Sequence, residues 1–493
     1  MDAVTEAMTS SPSPQRPSPL TLPAVLTGVV LVAMSISGTA VALPSMGREL
    51  DASGSALNWV VAGYNLAFAA MTLVAGSTAD QVGRRRTFVA SAVVFSCGFL
   101  ITAVSPSVLF TDVSRIVSGA GGAGIMAAGG AVLAASYEGT SRNRAFALMG
   151  TMAGVGIAVG PTLSGLLVSA TGWRGSFVVF AALGMLITVG ATRMHESRAA
   201  TARADWAGSF LFVAALCLLM FALLEAPSLG WTDGAVVATA IAGVAVLAVF
   251  GVVQRRSSHP VLEPALLTNR GFIGWSLATL TTSVGFLGLL VFLPTYLQVA
   301  ARLTPAVTGA AMLLLTAPVL VTPLAAVALV NKGVPARRLI VLALVMVTLG
   351  NLCLVTLSPD NTMLGATGPL LAIGTGMGIS FGIADGQAMR LVPAESVGLA
   401  AGFLNTLRGT AETMVIAAFG AALVGFVGNR LGSDQRAASV SAGQLSDTHR
   451  HVELTALTWS WCMTQLGIGL LCLLLTVTVV VLIRHHGQRR QDV

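Results

Sequence analysis

Charged residues are scarce in this chain. Asp, Glu, Lys and Arg make up 10% of its 493 residues, whereas 55% are apolar. A soluble domain carries about 25% charged residues, so this chain has too few charges to cover a surface in contact with water. The composition therefore excludes an ordinary soluble enzyme or binding domain and predicts a protein whose solvent is the lipid bilayer.

Residue patterns for catalysis and cofactor binding are also missing. There is no Cys-x-x-Cys pair and no Gly-rich phosphate loop ending in Lys-Ser or Lys-Thr, which argues against a thiolate metal site and against ATP as an energy source. The five cysteines lie in apolar runs and are interpreted as packing residues. His449, His451 and Glu453 share one predicted loop, where exposure to solvent is favoured over a metal site. We expect no enzyme activity, no metal and no cofactor.

Apolar runs long enough to cross a bilayer, about 20 residues each, are abundant. Fourteen of them begin near Pro23, Leu57, Phe88, Val108, Ala145, Ser176, Gly208, Gly234, Phe272, Ala306, Leu339, Leu364, Val397 and Leu457. The Ser/Pro-rich residues 1–22 are expected to form a disordered cytoplasmic tail. They lack the basic start and the cleavage site of a signal peptide, so the first run should persist in the mature protein.

The positions of the basic residues predict the orientation. With both termini in the cytoplasm, nineteen of the 27 Lys and Arg residues fall on cytoplasmic segments, six fall outside, and Arg115 and Arg408 fall within runs. This bias follows the positive-inside rule and predicts a multi-pass protein of the plasma (inner) membrane. Because the basic residues are spread over short loops, the net charge of +7 does not indicate nucleic-acid binding.

A charged loop, GSTADQVGRRR from Gly76 to Arg86, separates the second and third runs. A weaker copy, NKGVPARR from Asn331 to Arg338, follows the tenth run. If the seventh and eighth runs are an insertion, the two loops occupy equivalent places in two six-helix halves. The alternative is that the first loop is only a basic segment that sets topology.

The spacing Gly-x-x-Ala-Asp-x-x-Gly-Arg-Arg in that loop resembles the loop between helices 2 and 3 of major facilitator superfamily transporters. The resemblance implies a gating motif formed by Gly76, Asp80, Gly83, Arg84 and Arg85. It also implies that Asp80 contacts the start of the thirteenth run, near Ser396 to Gly398, and helps to latch the outward-open state. The two glycines permit tight turns and close helix approach.

The fifth run contains GVGIAVGPTLSG, in which Gly156, Gly160 and Ser164 recur every four residues and form one smooth helix face. Pro161 removes a backbone donor and is expected to kink the helix. The segment resembles the antiporter signature of drug:proton exporters, which implies a motif of Gly156, Gly160, Pro161 and Gly165. Generic packing of small residues is the alternative.

The fourth run places Asp112, Arg115, Gly119 and Gly122 on one helix face. A charge inside a membrane is costly and usually faces a bundle interior or a wet cavity. The Arg115-x-x-x-Gly119 pattern resembles the helix-4 motif of the family, whose Arg is linked to proton coupling. An Asp112–Arg115 pair that only stabilises packing is the alternative.

The thirteenth run places Asn405, Arg408 and Glu412 on one face, with Glu412 near the bilayer midplane. A carboxylate there either pairs with Arg408 or is protonated. In the family that this run resembles, the Arg recurs but the Glu position is more often Gly. Our hypothesis is that Glu412 is a proton or cationic-substrate site, and a static ion pair is the alternative.

The first run departs from the family's pattern. It resembles the first-helix motif of fourteen-helix exporters, but Ser35 stands where they typically carry Asp and Ala40 where they carry Asn. The proton must then bind to Glu412, Asp112 or Asp385, or proton coupling differs from that of the family. Asp385 lies near the inner end of the twelfth run. The alternative to a role in proton coupling is that it is simply solvated at the end of the helix. Candidates for the substrate pathway are Ser35, Tyr64, Asn65 and Asn405.

Three further segments extend the resemblance across nearly the whole chain: WVVAGYNLAF (59–68), ALLEAPSLGW (222–231) and LPTYLQ (293–298). With the inserted pair of runs, they favour the fourteen-helix drug:proton antiporter (DHA2) branch. Glu225 in the second of these segments is expected near the outer surface, in a structural position.

These features predict an all-α integral membrane protein with the major facilitator fold, two six-helix bundles plus two inserted helices. The predicted units are the 1–22 tail, a 23–194 bundle, a 195–256 linker with the inserted helices, a 257–484 bundle with an outer loop at 428–456, and a 485–493 tail.

The predicted activity is efflux of amphipathic or lipophilic drugs in exchange for protons, by alternating access in a monomer. One alternative is export of a single endogenous metabolite, siderophore or lipid on the same fold. The other is a receptor or scaffold without transport, which would be expected to carry a large soluble domain.

Overall fold

The computed structural model describes residues 18–198, 206–256, 269–358, 362–392 and 397–488. In these ranges almost every residue is helical. This is expected in a bilayer, where no water is present to hydrogen-bond the backbone N–H and C=O groups. The helices are α1 (Thr21–Glu49), α2 (Gly54–Val82), α3 (Arg84–Ala103), α4 (Val108–Ser136), α5 (Gly139–Ala191), α6 (Trp206–Leu229), α7 (Gly234–Arg256), α8 (Arg270–Ala300), α9 (Pro305–Ala311), α10 (Leu313–Asn331), α11 (Ala336–Cys353), α12 (Thr362–Met389), α13 (Val397–Leu431), α14 (Asp434–Ser441) and α15 (Arg450–Gln488).

All fourteen predicted apolar runs lie in these helices. Twelve helices of the described chain are long and apolar enough to cross a membrane, or thirteen when α2, which bends by 45° after Thr72, is counted as one span. The fifth and sixth predicted runs share the 53-residue helix α5, which is broken at Gly172 (φ 71°, ψ 172°). Pro161 also lies in α5, but the non-helical residue of α5 is Gly172.

The turns between helices collect on two opposite sides of the molecule because successive spans run in opposite directions. We call the side that carries Gly83, Glu138 and Lys332 the Gly83 face, and the side that carries Asp51, Gly172 and Gly230 the Asp51 face. Local sequence sets several of these helix starts. The Ser107 hydroxyl, for example, accepts from the Phe110 N–H at the start of α4.

Helices α1 to α5 pack into one group, in which small residues allow close backbone contact. A Cβ at Gly156 would lie 2.6 Å from the Val30 carbonyl oxygen, and one at Gly160 would lie 3.1 Å from the Met34 Cα. The Ser164 hydroxyl donates to a carbonyl of α1 at 2.8 Å. The small-residue face of the fifth run therefore lies directly on α1.

Helices α8 to α13 form a second group together with α15. Its interior contains stacked aromatic rings, such as Tyr296 on Trp461 with centroids 4.9 Å apart. The inserted helices α6 and α7 pack on each other, and α6 also contacts α2 of the first group and α13 of the second. The insertion is therefore in contact with both groups.

The start of α3 is capped by a side chain from a distant part of the sequence. Gly83 occupies the N-cap position, so it has no side chain to offer. Instead Glu196 accepts the backbone N–H groups of Arg85 at 3.1 Å and Arg86 at 3.2 Å. A Cβ at Gly83 would lie 2.7 Å from a Glu196 carboxylate oxygen. Glu196 therefore satisfies two of the free N–H donors at the start of α3, and its carboxylate lies at the positive end of the helix dipole, where a negative charge is favourable.

The α1–α5 contact predicts a position-specific effect of a single methyl group. We expect Gly160→Ala to destabilise the protein because overpacking costs about 1–3 kcal/mol, which exceeds the gain in helix propensity of about 1 kcal/mol. Gly154→Ala is the matched control, since a Cβ there meets no atom within 4 Å. Thermal unfolding in detergent measures both, and equal midpoints for the two variants would contradict the packing described here.

The α3 cap predicts a second difference. Glu196→Ala should lower the free energy of unfolding by about 1 kcal/mol, the usual value of a helix cap, whereas Glu196→Gln should keep part of it through its amide oxygen. Glu138→Ala is the control, because Glu138 begins α5 without a side-chain cap hydrogen bond. Denaturation of the purified proteins in detergent measures the free energy of unfolding. A larger loss in Glu138→Ala than in Glu196→Ala would contradict the cap.

Candidate functional site

Arg115 is buried inside the first group of helices, with 1% of its surface exposed. Its Nε donates to the Val60 carbonyl at 3.2 Å and its Nη2 to the Thr39 hydroxyl at 3.2 Å. The Ser35 hydroxyl lies 3.5 Å from Nη1, and the guanidinium stacks over the Tyr64 ring at 4.3 Å. Neutral oxygens and an aromatic face therefore hold this cation. Ser35, which stands where the resemblance predicts a carboxylate, supplies an uncharged partner.

Asp112 lies one turn from Arg115 on α4 but is not among its partners. Its side chain is buried, and the Oδ1 atom has no hydrogen-bond partner within the described residues. The alternative in which Asp112 and Arg115 neutralise each other is therefore wrong for this structure, because the Arg115 donors point toward α1 and α2. Asp112 remains a buried carboxyl group without a counter-ion among the described side chains.

The second group of helices contains a partly buried ion pair that was not predicted. Arg408 Nη2 lies 2.7 Å from Asp385 Oδ2, and Thr279 donates its hydroxyl to Asp385 Oδ1 at 3.1 Å. The Arg408 guanidinium also lies over the Phe381 ring at 4.8 Å. The static Glu412–Arg408 pair considered above is therefore not the pair observed. Asp385 is not simply a solvated helix end either, since it joins α12 to α8 and α13.

Glu412 lies where α13 of the second group faces α2 of the first. A Cβ at Gly409 would lie 3.2 Å from Ala69, and one at Gly420 would lie 2.8 Å from the Asn58 amide. Between these two contacts the antiparallel register places Glu412 level with Leu66. In the described residues the ion pair of Arg408 is with Asp385, so Glu412 is one turn from this cation on α13 but is not its ion-pair partner.

The remaining predicted pathway residues lie on α2 and α13. Tyr64 is buried, and its hydroxyl has no hydrogen-bond partner within the described part of the chain. Asn65 is also buried, and its amide donates to the Val61 carbonyl at 2.9 Å. The side chain of Asn405 lies outside the described residues.

The predicted gating loop is held on the Gly83 face by local ion pairs. Arg84 Nη2 lies 2.9 Å from Asp80 Oδ1, one helical turn apart, and the Arg84 N–H donates to the Ser197 carbonyl at 3.0 Å. The expected contact of Asp80 at Ser396 to Gly398 falls outside the described residues and side chains. At Gly76 an added Cβ would meet nothing within 4 Å, so the close approach expected there is not observed.

The two groups of helices contact each other directly near the Asp51 face. A Cβ at Gly309 on α9 would lie 2.5 Å from the Pro161 carbonyl oxygen, and the Thr162 hydroxyl donates to the Gly309 carbonyl at 2.8 Å. The Gln298 amide donates to the Val41 carbonyl at 3.1 Å. The segment of the antiporter motif that includes Pro161 therefore lies between α1 and α9, within this contact.

The loop between α13 and α15 closes over the same face. The Gln444 amide donates to the Ala52 carbonyl of the first group at 3.0 Å, and Ala438 of α14 packs against Gly54. Glu453 anchors the loop, since it accepts from the Ser446 N–H at 2.7 Å and lies 3.5 Å from Arg436. Glu453 is thus used as a structural anchor.

Besides the Arg408–Asp385 pair, sequence reasoning missed two tertiary contacts, those of Glu196 and Gln444. Glu196 was not singled out, although an isolated acid among the basic residues Arg193 and Arg198 was a signal for a local ion pair. No sequence pattern marks Gln444 as a contact residue, because its partner is a backbone carbonyl 392 residues away.

Comparisons with known proteins identify the family of this chain. The model of the Major Facilitator Superfamily matches residues 25–415. Multidrug resistance protein Stp of Mycobacterium tuberculosis is 30% identical over 83% of this chain and 76% of its own length. The puromycin resistance protein pur8 of Streptomyces alboniger is 32% identical over 82% of this chain and 81% of its own length.

Among solved structures, an inward-facing, occupied bacterial homolog of the human lysosomal transporter Spinster superposes with a TM-score of 0.67 at 14% identity, over 94% of this chain and 96% of that one. This likeness concerns the fold. The family model covers well over half of the sequence. The chain belongs to the major facilitator superfamily of membrane transporters and is not an enzyme.

Proposed function

We propose that this protein exports amphipathic drugs or antibiotics in exchange for protons by alternating access. The observation that carries the proposal is its similarity to drug-resistance and drug-export proteins over more than four fifths of the chain. The carboxyl groups of Asp112 and Glu412, which take part in none of the described ion pairs, support the coupling of drug export to proton entry. The proposed branch is the fourteen-helix drug:proton antiporters, and the proposed location is the cell membrane.

The distribution of arginines supports a cytoplasmic Gly83 face. Arg84, Arg85 and Arg86 begin α3 on that face, and the positive-inside rule favours such a cluster in the cytoplasm. The Asp51 face is then extracellular. Since the described contacts between the two groups gather near the Asp51 face, this conformation corresponds to a transporter closed to the outside.

The position of Glu412 supports a role at the exchange step. It stands between the two groups near the middle of α13, where a change in their separation alters its surroundings directly. A proton on Glu412 removes its charge, whereas a lipophilic cation could replace that proton from the pathway. Arg408 stays paired with Asp385 in the meantime, so Glu412 can change charge without leaving this partly buried arginine uncompensated.

The energetics allow one proton per drug molecule. A proton moving down about 100 mV releases about 2.3 kcal/mol. Exporting a solute against a gradient of about 30-fold costs about 2 kcal/mol. A pathway with few fixed charges suits amphipathic or lipophilic solutes better than sugars, which need many hydrogen bonds.

Export of one endogenous metabolite is the second candidate. The tetracenomycin C resistance and export protein of Streptomyces glaucescens is 27% identical over 84% of this chain. That similarity favours a self-protecting exporter for a single natural product. A broad substrate profile supports the first candidate, and a profile limited to one compound supports the second.

Export should depend on the proton gradient. In everted membrane vesicles we expect uptake of a fluorescent lipophilic cation when the interior is acidified, and collapse of that uptake on addition of a protonophore, because the proton supplies the energy. Vesicles without the protein are the control. Uptake that persists after the gradient has collapsed would refute the antiport mechanism.

Glu412→Gln should uncouple transport from the gradient. We expect gradient-driven uptake in proteoliposomes to fall by about tenfold or more, which corresponds to at least about 1.4 kcal/mol, while exchange of labelled for unlabelled substrate persists. Asp447→Asn, in the exposed loop before α15, is the matched control. Gradient-driven uptake at the wild-type rate in Glu412→Gln would remove Glu412 from the mechanism.

A further inference from the structure

Two pairs of helices form the lateral boundaries between the two groups. On one side α5 packs on α9 and α10, and on the other side α2 packs on α13. The α5 boundary is tight near the Asp51 face. An added Cβ at Gly165 would collide with the Pro305 carbonyl oxygen, and the Thr316 hydroxyl donates to the Ala158 carbonyl at 2.8 Å. The groups are therefore in direct contact as far as Ala158.

The same face of α5 is open closer to the Gly83 face. Gly154 lies eleven residues before Gly165, which is three helical turns and the same side of the helix. An added Cβ at Gly154 nevertheless meets no atom within 4 Å, and neither does one at Gly150, which is exposed. On another side of α5, Gly156 still packs closely on α1. The helix thus keeps its place in the first group and loses only its contact with the second.

Helix α10 shows the same change. Val327 lies eleven residues after Thr316, again three turns along the same face. Thr316 is fully buried, whereas Val327 is 43% exposed. On neighbouring sides of α10, Val321 and Leu324 are 66% and 72% exposed. Because the two helices are antiparallel, both changes lie on the Gly83 side of the Thr316 hydrogen bond. Helices α5 and α10 therefore separate there and leave a gap.

The gap lies at the depth of the hydrocarbon core. Toward the Gly83 face, the first charged side chains beyond it are Arg144 on α5 and Lys332 after α10. Gly154 is ten residues from Arg144, which corresponds to about 15 Å along the helix. Val327 is five residues from Lys332, about 7 Å. With these basic residues at the headgroups, the gap borders on the acyl chains of that leaflet.

The opposite boundary is covered by the insertion. Helix α6 packs on both α2 and α13, and α7 packs on α6. Glu225 fixes α6 to α2, because its carboxylate accepts from the Trp59 indole N–H at 3.0 Å and lies 3.3 Å from the Ser55 hydroxyl. The described helices on which the insertion packs are thus on the α2–α13 side. The boundary between α5 and α10 is left uncovered by the insertion.

We propose that lipophilic solutes enter this transporter from the cytoplasmic leaflet, through the gap between α5 and α10. The occupant is the apolar part of an amphipathic drug dissolved in that leaflet. The gap is walled by Gly150, Gly154 and Val327, whose side chains carry neither charge nor hydrogen-bonding groups, so it favours solutes that partition into lipid. The inference rests on the proposed drug export and on a cytoplasmic Gly83 face.

A reversible block tests the route. Val327→Cys, modified with a benzyl methanethiosulfonate, should lose uptake of a lipophilic dye cation into everted vesicles by about tenfold, the equivalent of about 1.4 kcal/mol. Uptake should return when a reductant removes the benzyl group, which shows that the protein stays folded. Val321→Cys is the matched control, since it lies on another side of α10 and contains the same native cysteines. Equal effects of the reagent at the two positions overturn the proposed route.

Photolabelling identifies the occupant. A photoreactive form of the same dye, added to the protein in lipid nanodiscs without a proton gradient, should label peptides that contain Gly154 or Val327. Excess dye without the photoreactive group should suppress this labelling. Because no transport cycle is needed, a block of helix movement does not affect the result. Labelling confined to other peptides, such as those of α2 and α13, overturns the proposal.

Fluorescence quenching separates this inference from the proposed function. A bimane label on Gly154→Cys should be quenched by phospholipids brominated in their acyl chains, as should a label on the lipid-facing Val321→Cys. The unsubstituted chain gives the background from native cysteines. If the wild type exports no drug, the proposed function fails, and the quenching still decides whether the gap is open to lipid. Quenching at 321 without quenching at 154 overturns the lateral route and leaves drug:proton exchange intact.

Discussion

The cost of burying charge in an apolar helix bundle is the constraint on which the rest of this structure depends. Arg115 and Asp112 are buried and Arg408 is mostly covered, and in such a bundle an uncompensated charge is strongly unfavourable. Arg115 is satisfied by hydroxyl and carbonyl oxygens and by the Tyr64 ring, and Arg408 by Asp385. With both cations held in these contacts, Asp112 and Glu412 are the carboxyl groups at which we propose that proton exchange takes place.

Close backbone packing gives these charges fixed positions. In a bilayer the hydrophobic effect does not hold helices together, so small residues that allow near contact take its place. Gly156 and Gly160 bring α5 onto α1, while the Pro161 carbonyl faces Gly309 of α9. Helix α5 therefore contacts α1 of its own group along one side and the second group along another. A movement of one group relative to the other must change at least one of these two contacts.

The inserted helices are more than a spacer between two six-helix halves. Helix α6 contacts α2 and α13, and its Glu225 is fixed by Ser55 and Trp59 of α2. The carboxylate is therefore held by the same helix that contributes Val60 to the Arg115 site. The insertion is thus connected to the buried polar interior of the first group, which a purely peripheral hairpin would not need.

The sequence by itself determined the features that depend on local spacing. Apolar runs of bilayer length specified the helices, arginines in short loops indicated the orientation, and glycines at every fourth position marked the face of α5 that packs on α1. The fold followed from these patterns together with the loop from Gly76 to Arg86. The bend in α2, the division of the tenth run into α9 and α10, and the short helix α14 lay beyond them.

The tertiary structure alone decided which charged groups meet. Sequence proximity favoured Arg408 with Glu412, four residues away, but the observed partner is Asp385, 23 residues away. Similarly, Glu196 caps a helix more than 100 residues away, and Arg115 donates to α1 and α2 and not to Asp112, one turn away on its own helix. Pairing depends on how far each helix is rotated about its axis and on the register with its neighbours. Those two quantities are set by packing across the whole bundle, and no local pattern in the sequence records them.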